Sequence, residues 1–107
     1  MILNVNMSIP ERIAELVQHE IADYPSDTII EQATLRAFRA VLRKPREARV
    51  QFSAGILQKC WAITRPNGDH RVVYMPRKGY FSLCVESDFG LLDIGVHGSA
   101  IGCFSSV

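Results

Sequence analysis

Apolar residues near the N-terminus recur at the spacing of an amphipathic helix. They stand at positions 9, 13, 16, 17 and 21, so that one side of a helix would be apolar. Ser8 can cap the first turn, and Glu11 stands three residues later, as in a capping box. Tyr24 precedes Pro25, and a residue before proline is disfavoured in the helical conformation. The pattern therefore predicts a helix that begins after Ser8 and ends at Tyr24.

A second helix is predicted immediately afterwards. Thr28 and Glu31 repeat the capping-box pattern. The predicted apolar face consists of Ile30, Ala33, Ala37, Phe38, Val41 and Leu42. The opposite face carries Arg36, Arg39 and Arg43. Lys44-Pro45 is expected to end this helix, because proline cannot continue the helical hydrogen bonding.

Beyond Pro45 the apolar positions alternate with polar ones, which is the period of a β-strand. Alternating runs cover residues 49–53, 57–63, 71–75, 80–86 and 91–97, and a last short apolar run covers 100–105. The connections are short turns, and short turns favour antiparallel neighbours. The predicted class is α+β, with two N-terminal helices packed on a roughly five-stranded antiparallel meander sheet. The exposed edges of such a sheet would leave room for a second copy or a partner strand.

The length and composition indicate one small domain. The chain has 107 residues, and residues 1–7 are expected to form either a short strand or a loose tail. No apolar run approaches a membrane span, and the N-terminus lacks the basic region of a secretory signal. Cys60, Cys84 and Cys103 show no metal-ligand spacing, so they are predicted to be buried free thiols in a reducing, cytoplasmic compartment. No metal, other cofactor or membrane contact is predicted.

Charge is segregated along the chain. Residues 1–31 carry a net charge of −5, residues 32–80 carry +9, and residues 81–107 carry −3, which together give +1. Such segregation is typical of a surface that binds a polyanion or an oppositely charged protein. The alternative is internal pairing, in which the acidic first helix lies against the basic second helix.

The predicted hairpin TRPNGDHRVVYM, residues 64–75, combines basic and aromatic side chains. Arg65, His70 and Arg71 flank the turn, while Trp61 and Tyr74 lie on the two strands. Positive charge for phosphates and rings for base stacking are what single-stranded RNA binding requires. The alternative is a hairpin whose tryptophan packs in the core and whose arginines are simply exposed.

Part of this hairpin resembles a known family. GDHRVVYM is similar to the Gly-x-Arg-Val-x-Tyr strand of RelE/ParE-type bacterial toxins, small proteins with two helices followed by an antiparallel sheet. An arginine on this strand contacts the scissile phosphate in the ribosome-dependent RNases of that family, which implies this role for Arg71. DIGVHG resembles a later motif that supplies a catalytic base, which implies His97. The chain departs from the family after His97, where neither tyrosine nor arginine follows.

In its general cast the chain is similar to bacterial immunity proteins and phage-encoded inhibitors. The leading prediction is therefore a non-enzymatic protein-binding inhibitor that neutralises a toxin or nuclease by covering its active site. The alternatives are a RelE-like RNase and a small non-catalytic nucleic-acid-binding protein. For a cationic partner, the predicted contacts are Glu11, Glu15, Glu20, Asp23, Glu86, Asp88 and Asp93. For an acidic partner, they are Arg43, Arg46, Arg49, Arg65 and Arg71.

Overall fold

The first helix forms as the sequence predicts. The computed structural model describes residues 7–52 and 55–107, so the strand or tail predicted at the N-terminus lies almost wholly outside the described residues. Helix α1 spans Ile9–Asp23 and begins with the complete capping box of Ser8 and Glu11. Tyr24 has extended backbone angles and ends the helix before Pro25.

Helix α2 spans Ile29–Val41 and begins with the predicted capping box of Thr28 and Glu31. The prediction that it continues to Lys44 is wrong, because Leu42 already pairs with Thr64 in the sheet. The backbone N–H of Arg65 donates to Val41 O at 2.9 Å, which fixes the helix end to the end of a strand. Tertiary pairing therefore overrides the local helical signal.

Only part of the predicted apolar face of α2 is buried. Phe38 and Val41 are buried, whereas Ala33 and Ala37 are exposed and Ile30 is 79% exposed. The described contacts of α2 are chiefly with the C-terminal helix. The second helix is therefore held mainly through its C-terminal half.

Five strands follow α2, and the prediction of an open sheet is wrong because they close into a barrel. The strands are β1 (Leu42–Gln51), β2 (Leu57–Thr64), β3 (His70–Met75), β4 (Tyr80–Ser87) and β5 (Gly90–Gly98). Successive strands pair antiparallel, as the short turns predict. Val50 and Gln51 of β1 pair in parallel with Leu91 and Leu92 of β5, and this seam joins the two edges.

Two register breaks allow the strands to bend into the barrel. The β1–β2 register shifts between Leu42 and Arg46, around Pro45, which has no N–H to contribute to the ladder. The β4–β5 register shifts between Leu83 and Cys84, opposite Gly95, whose φ of 83° suits glycine. Such bulges bend strands and increase their twist.

The last apolar run forms a helix, so its prediction as a strand is wrong. Helix α3 spans Ala100–Ser105, and the Ser99 hydroxyl accepts from the backbone N–H of Gly102 at 3.0 Å. Short apolar runs do not distinguish a strand from a buried helix by periodicity. The capping serine before the run is the signal that favours the helix.

The strands bury side chains on both faces. On one face, Trp61 and Ile63 of β2 pack with residues of all three helices, including Ile13, Phe38 and Ile101. On the other face lies the smaller interior of the barrel, formed by Val50, Cys60, Ala62, Val73, Met75, Cys84 and Leu91. All three cysteines are buried free thiols, as predicted.

A single carboxylate connects helix α1 with helix α3. Glu20 of α1 accepts from the backbone N–H of Ala100 at 3.0 Å and from that of Ile101 at 2.6 Å. These are first-turn N–H groups of α3, which have no partners within their own helix. Glu20 therefore holds α3 in place against α1.

We expect Glu20→Ala to lower the free energy of unfolding by about 1–3 kcal/mol, because two half-buried N–H groups lose their acceptor. Urea unfolding measures this change. Glu15→Ala is the matched control, because Glu15 lies 3.8 Å from His19 on the surface of the same helix and makes no hydrogen bond with α3 in the described residues. Equal losses for the two variants would show that the contact with α3 contributes no more than an exposed side chain.

Candidate functional site

Most of the acidic residues predicted to bind a cationic partner are engaged within the chain. On α1, the carboxylate of Glu11 accepts from the backbone N–H and hydroxyl of Ser8. These hydrogen bonds hold the pKa of Glu11 below its ordinary value. Glu15 approaches His19, and Glu20 holds α3. Asp23, at the end of α1, is exposed, and its carboxylate has no such bond to any residue that the structure describes.

The acidic residues of the late strands are similarly placed. Glu86 of β4 lies 2.9 Å from Nε of Arg71, measured from its Oε1 atom. Asp93 of β5 accepts from Ser82, and Asp88 lies exposed in the turn between β4 and β5. Five of the seven predicted acidic contacts thus have intramolecular partners. In the described residues, no ion pair joins a carboxylate of α1 to an arginine of α2, so the alternative of internal pairing between these helices is absent there.

Asp93 is the centre of a polar cluster at one side of the barrel. The hydroxyl of buried Ser82 donates to Asp93 Oδ1 at 2.5 Å, and the Gly95 N–H donates to the same atom at 3.3 Å. His97 Nε2 lies 3.1 Å from each carboxylate oxygen. Burial alone would raise the pKa of Asp93, but the hydrogen bonds from Ser82, His97 and Gly95 hold it below its ordinary 3.8.

This cluster has the residue types of a serine triad without its arrangement. In a triad the serine hydroxyl bonds to the histidine, which then removes its proton. Here the Ser82 hydroxyl donates to Asp93 instead, and Ser82 is fully buried. The geometry therefore indicates a structural role, in which this hydrogen bond links strand β4 to strand β5.

The two residues implied by the RNase resemblance do not contact each other. Arg71 lies on β3 and His97 on β5, and strand β4 separates them. Adjacent strands are about 4.8 Å apart, so the two backbones are about 10 Å apart or more. Each side chain also has its own carboxylate, Glu86 for Arg71 and Asp93 for His97. His97 in addition stacks on Tyr80, with ring centroids 4.6 Å apart.

Basic residues, by contrast, converge on one cleft. The cleft has a volume of about 410 Å³ and lies where the start of β1 meets the end of β2 and the start of β3. Its cationic lining residues are Arg43, Lys44, Arg46, Arg65 and Arg71. Its other walls are uncharged and come from Ala62, Thr64 and Pro66. We call this cavity the basic cleft.

The fold brings these residues together through strand pairing. Arg46 pairs with Ala62 across β1–β2, and Ala62 pairs with Val73 across β2–β3. Arg65 follows the end of β2, and Arg71 lies near the start of β3, on either side of the predicted turn. Four of the five arginines predicted for an acidic partner therefore share one cavity. Arg49 is the exception, because it lies further along β1, beside Glu47 and Lys59.

The basic cleft carries strong positive charge. Lys44 and Arg46 are exposed, and among the described residues neither has a side-chain hydrogen bond or an ion pair. Arg43 donates to the carbonyls of Ala40 and Leu42, and these bonds leave its charge uncompensated. A cleft lined by one sign of charge concentrates the electric field and attracts the opposite charge.

The aromatic side chains predicted for RNA stacking are not available to the basic cleft. Trp61 is 9% exposed and packs in the core beneath the helices. Tyr74 packs against that core and meets Phe81 edge-on, with centroids 5.1 Å apart. His70 is half-buried, and its backbone closes the turn by pairing with Asn67.

Nucleophilic and metal chemistry find little support. Burial raises the pKa of Cys84 to about 12 and that of Cys103 to about 11, and it also raises the pKa of Cys60. A thiol that stays protonated is a poor nucleophile. Within residues 7–52 and 55–107, no group of three or more His, Cys, Asp or Glu residues could hold a metal ion.

Comparison with known proteins gives no relative. No protein-family model, curated protein or solved structure matches the chain. In the part of the chain that the structure describes, no helix has both the length and the apolar character needed to cross a membrane. The candidate function therefore depends on the geometry of the basic cleft.

We expect Asp93→Asn to weaken the dependence of the free energy of unfolding on pH in the acidic range. The lowered pKa of Asp93 means that its contribution is complete above about pH 4, and that it is lost as the pH falls through the folded-state pKa. Urea unfolding over this acidic range measures the effect, with Asp88→Asn in the exposed turn as the control. A wild-type acid dependence that persists unchanged in Asp93→Asn would contradict this assignment.

Proposed function

We propose that this chain is a non-enzymatic protein-binding inhibitor that holds a carboxylate-rich surface of its partner in the basic cleft. The supporting observation is the convergence of four arginines and one lysine on a cavity whose described lining residues include no carboxylate. Among the described residues, Arg71 is the one of these five cations in an ion pair, with Glu86. Guanidinium groups match carboxylates well, because their planar forks can donate two parallel hydrogen bonds. A partner whose active site is rich in carboxylates, such as a metal-dependent nuclease or other toxin, would be blocked by this contact.

The charge distribution favours the basic surface over the acidic one. Five of the seven candidate acidic contacts stabilise the chain itself, so binding through them would break internal bonds. Binding through Lys44 and Arg46 would break no internal bond, because neither side chain has a hydrogen bond or an ion pair among the described residues. Opposite charge on the partner would also relieve the repulsion among the cations that line the cleft.

A protein partner fits the cleft better than a nucleic acid does. Binding of single strands depends on base stacking as well as on charge. None of the described residues that line the basic cleft is aromatic. Trp61 packs in the core, and half-buried Tyr74 packs against it. Phosphate contacts alone would give non-specific binding that falls steeply with salt.

The RNase alternative has weaker geometric support. A phosphate-binding arginine and a catalytic base must reach the same reacting group. Arg71 and His97 lie two strands apart, and each is beside a carboxylate. The inhibitor function requires neither residue to perform chemistry.

Charge reversal in the cleft tests the proposal. We expect the double variant Arg46→Glu, Arg65→Glu to bind a dye-labelled oligoglutamate peptide at least about tenfold more weakly than wild type, by fluorescence anisotropy. The matched control is Arg77→Glu, Lys78→Glu, which changes the charge equally in the turn after β3. Equal losses in both variants would show that net charge, rather than the cleft, governs binding. Tighter and strongly salt-dependent binding to an oligouridylate of equal charge would favour a nucleic-acid-binding protein.

Bacterial growth separates inhibition from RNA cleavage. We expect induced expression of the wild-type chain to leave growth unaffected, because the proposed function includes no cleavage step. Arg71→Ala should then grow identically, and optical density over time measures both cultures. Growth arrest by the wild type that Arg71→Ala relieves, with equal soluble protein, would contradict the inhibitor and support the RNase.

A further inference from the structure

An apolar groove lies beside the basic cleft. It has a volume of about 340 Å³ and runs between α1 and the start of β1. Its apolar wall consists of Pro10, Ala14, Val17, Leu42, Pro45 and Ile63. Its polar lining residues are Glu11, Gln18, Arg43 and Lys44. We call it the apolar groove.

The apolar groove and the basic cleft share a wall. Arg43 and Lys44, consecutive residues at the start of β1, line both cavities. A ligand lying across these two residues would place one part against apolar side chains and the next part among cations. The two cavities therefore offer one continuous surface with two different chemistries.

We propose that the apolar groove and the basic cleft form a single bipartite docking site for a peptide segment of the partner, in which an apolar side chain adjoins a run of carboxylates. This inference rests on the proposed function and specifies what the partner must present. The apolar side chain enters the groove against Ala14 and Leu42, which are half-buried. The carboxylates that adjoin it meet Lys44, Arg46 and Arg65 in the cleft.

Glu11 favours one orientation of the bound peptide segment over the reverse orientation. It lines the apolar groove and is fixed by its capping bonds to Ser8, so its charge stays in place. A partner carboxylate in the groove would face this like charge, whereas one beside Lys44 and Arg46 in the cleft would face cations that have no ion pair among the described residues. Repulsion in the wrong orientation contributes to specificity as much as attraction in the right one.

An extended protein segment fits this site better than a free fatty acid. Sites for small apolar ligands take up most of the ligand surface in a concave, closed pocket. The groove is an open channel between a helix and a strand, and the cationic surface continues beyond it. In this shape, successive residues of an extended peptide can contact first the apolar groove and then the basic cleft. A single small molecule would not be enclosed by it.

The test uses two dye-labelled acidic peptides that are identical except for leucine or alanine at the central position. We expect the leucine peptide to bind the full-length wild-type chain about tenfold more tightly in fluorescence anisotropy, since burial of its side chain adds to the ionic contacts. The leucine preference should persist at high salt, which screens the charges but not the apolar contact. Equal binding of the two peptides would overturn the bipartite site and leave the basic cleft as the binding surface. Failure of both to bind would overturn the proposed function as well.

Filling the groove supplies a second test. We expect Ala14→Leu to remove most of the leucine preference while acidic binding remains, because its own side chain then occupies the groove. The control is Ala37→Leu, the same substitution at an exposed position of α2. Thermal unfolding of both variants verifies that they are folded. A leucine preference unchanged in a folded Ala14→Leu variant would place the apolar contact elsewhere and overturn the inference.

Discussion

Strand β1 must hydrogen-bond to two neighbours at once, and the rest of the structure depends on this. It pairs with β2 almost to both ends and with β5 through Val50 and Gln51. The second pairing closes the barrel, which buries the interior cluster and satisfies edges that an open sheet would leave exposed. The first pairing places the start of β1 beside the end of β2. The basic cleft and the apolar groove both lie along that start, so the candidate site is a product of the β1–β2 pairing.

Much of the fold could be predicted from local chemistry. The capping boxes at Ser8 and Thr28 and the proline after Tyr24 act within a few residues, and both helices begin, and α1 ends, as predicted. The alternation locates the later strands, but β1 begins at Leu42 rather than at the predicted residue 49. Closure of the barrel could not be predicted, because it depends on how twist accumulates over five strands. The predicted end of α2 was wrong because the pairing of Leu42 with the distant Thr64 ends the helix. The predicted terminal strand was wrong because periodicity does not distinguish a short strand from a buried helix, although Ser99 is a local capping signal.

The candidate site could be predicted in composition but not in arrangement. The basic middle of the chain is evident from the sequence, and four of the five proposed arginines line the cleft. Which charges remain free depends on tertiary contacts that the sequence does not display. Glu20, Glu86 and Asp93 look like surface acids in sequence, yet each supports another element. The exposure of the aromatic residues also depends on tertiary contacts, because strand pairing directs Trp61 toward the helices.

The attachment of α3 to Glu20 has a consequence for synthesis of the protein. Helix α1 emerges from the ribosome before α3, and its Ile13, Val17 and Ile21 are apolar side chains that the folded protein buries. Part of their cover comes from Ala100, Ile101 and Cys103, which are translated only after all five strands. Chains grow at about 5–20 residues per second, so this apolar surface stays open for several seconds in every nascent molecule. The native packing of α1 is therefore completed only after α3 has been synthesised, and a chain that stops before α3 would present a binding surface for chaperones.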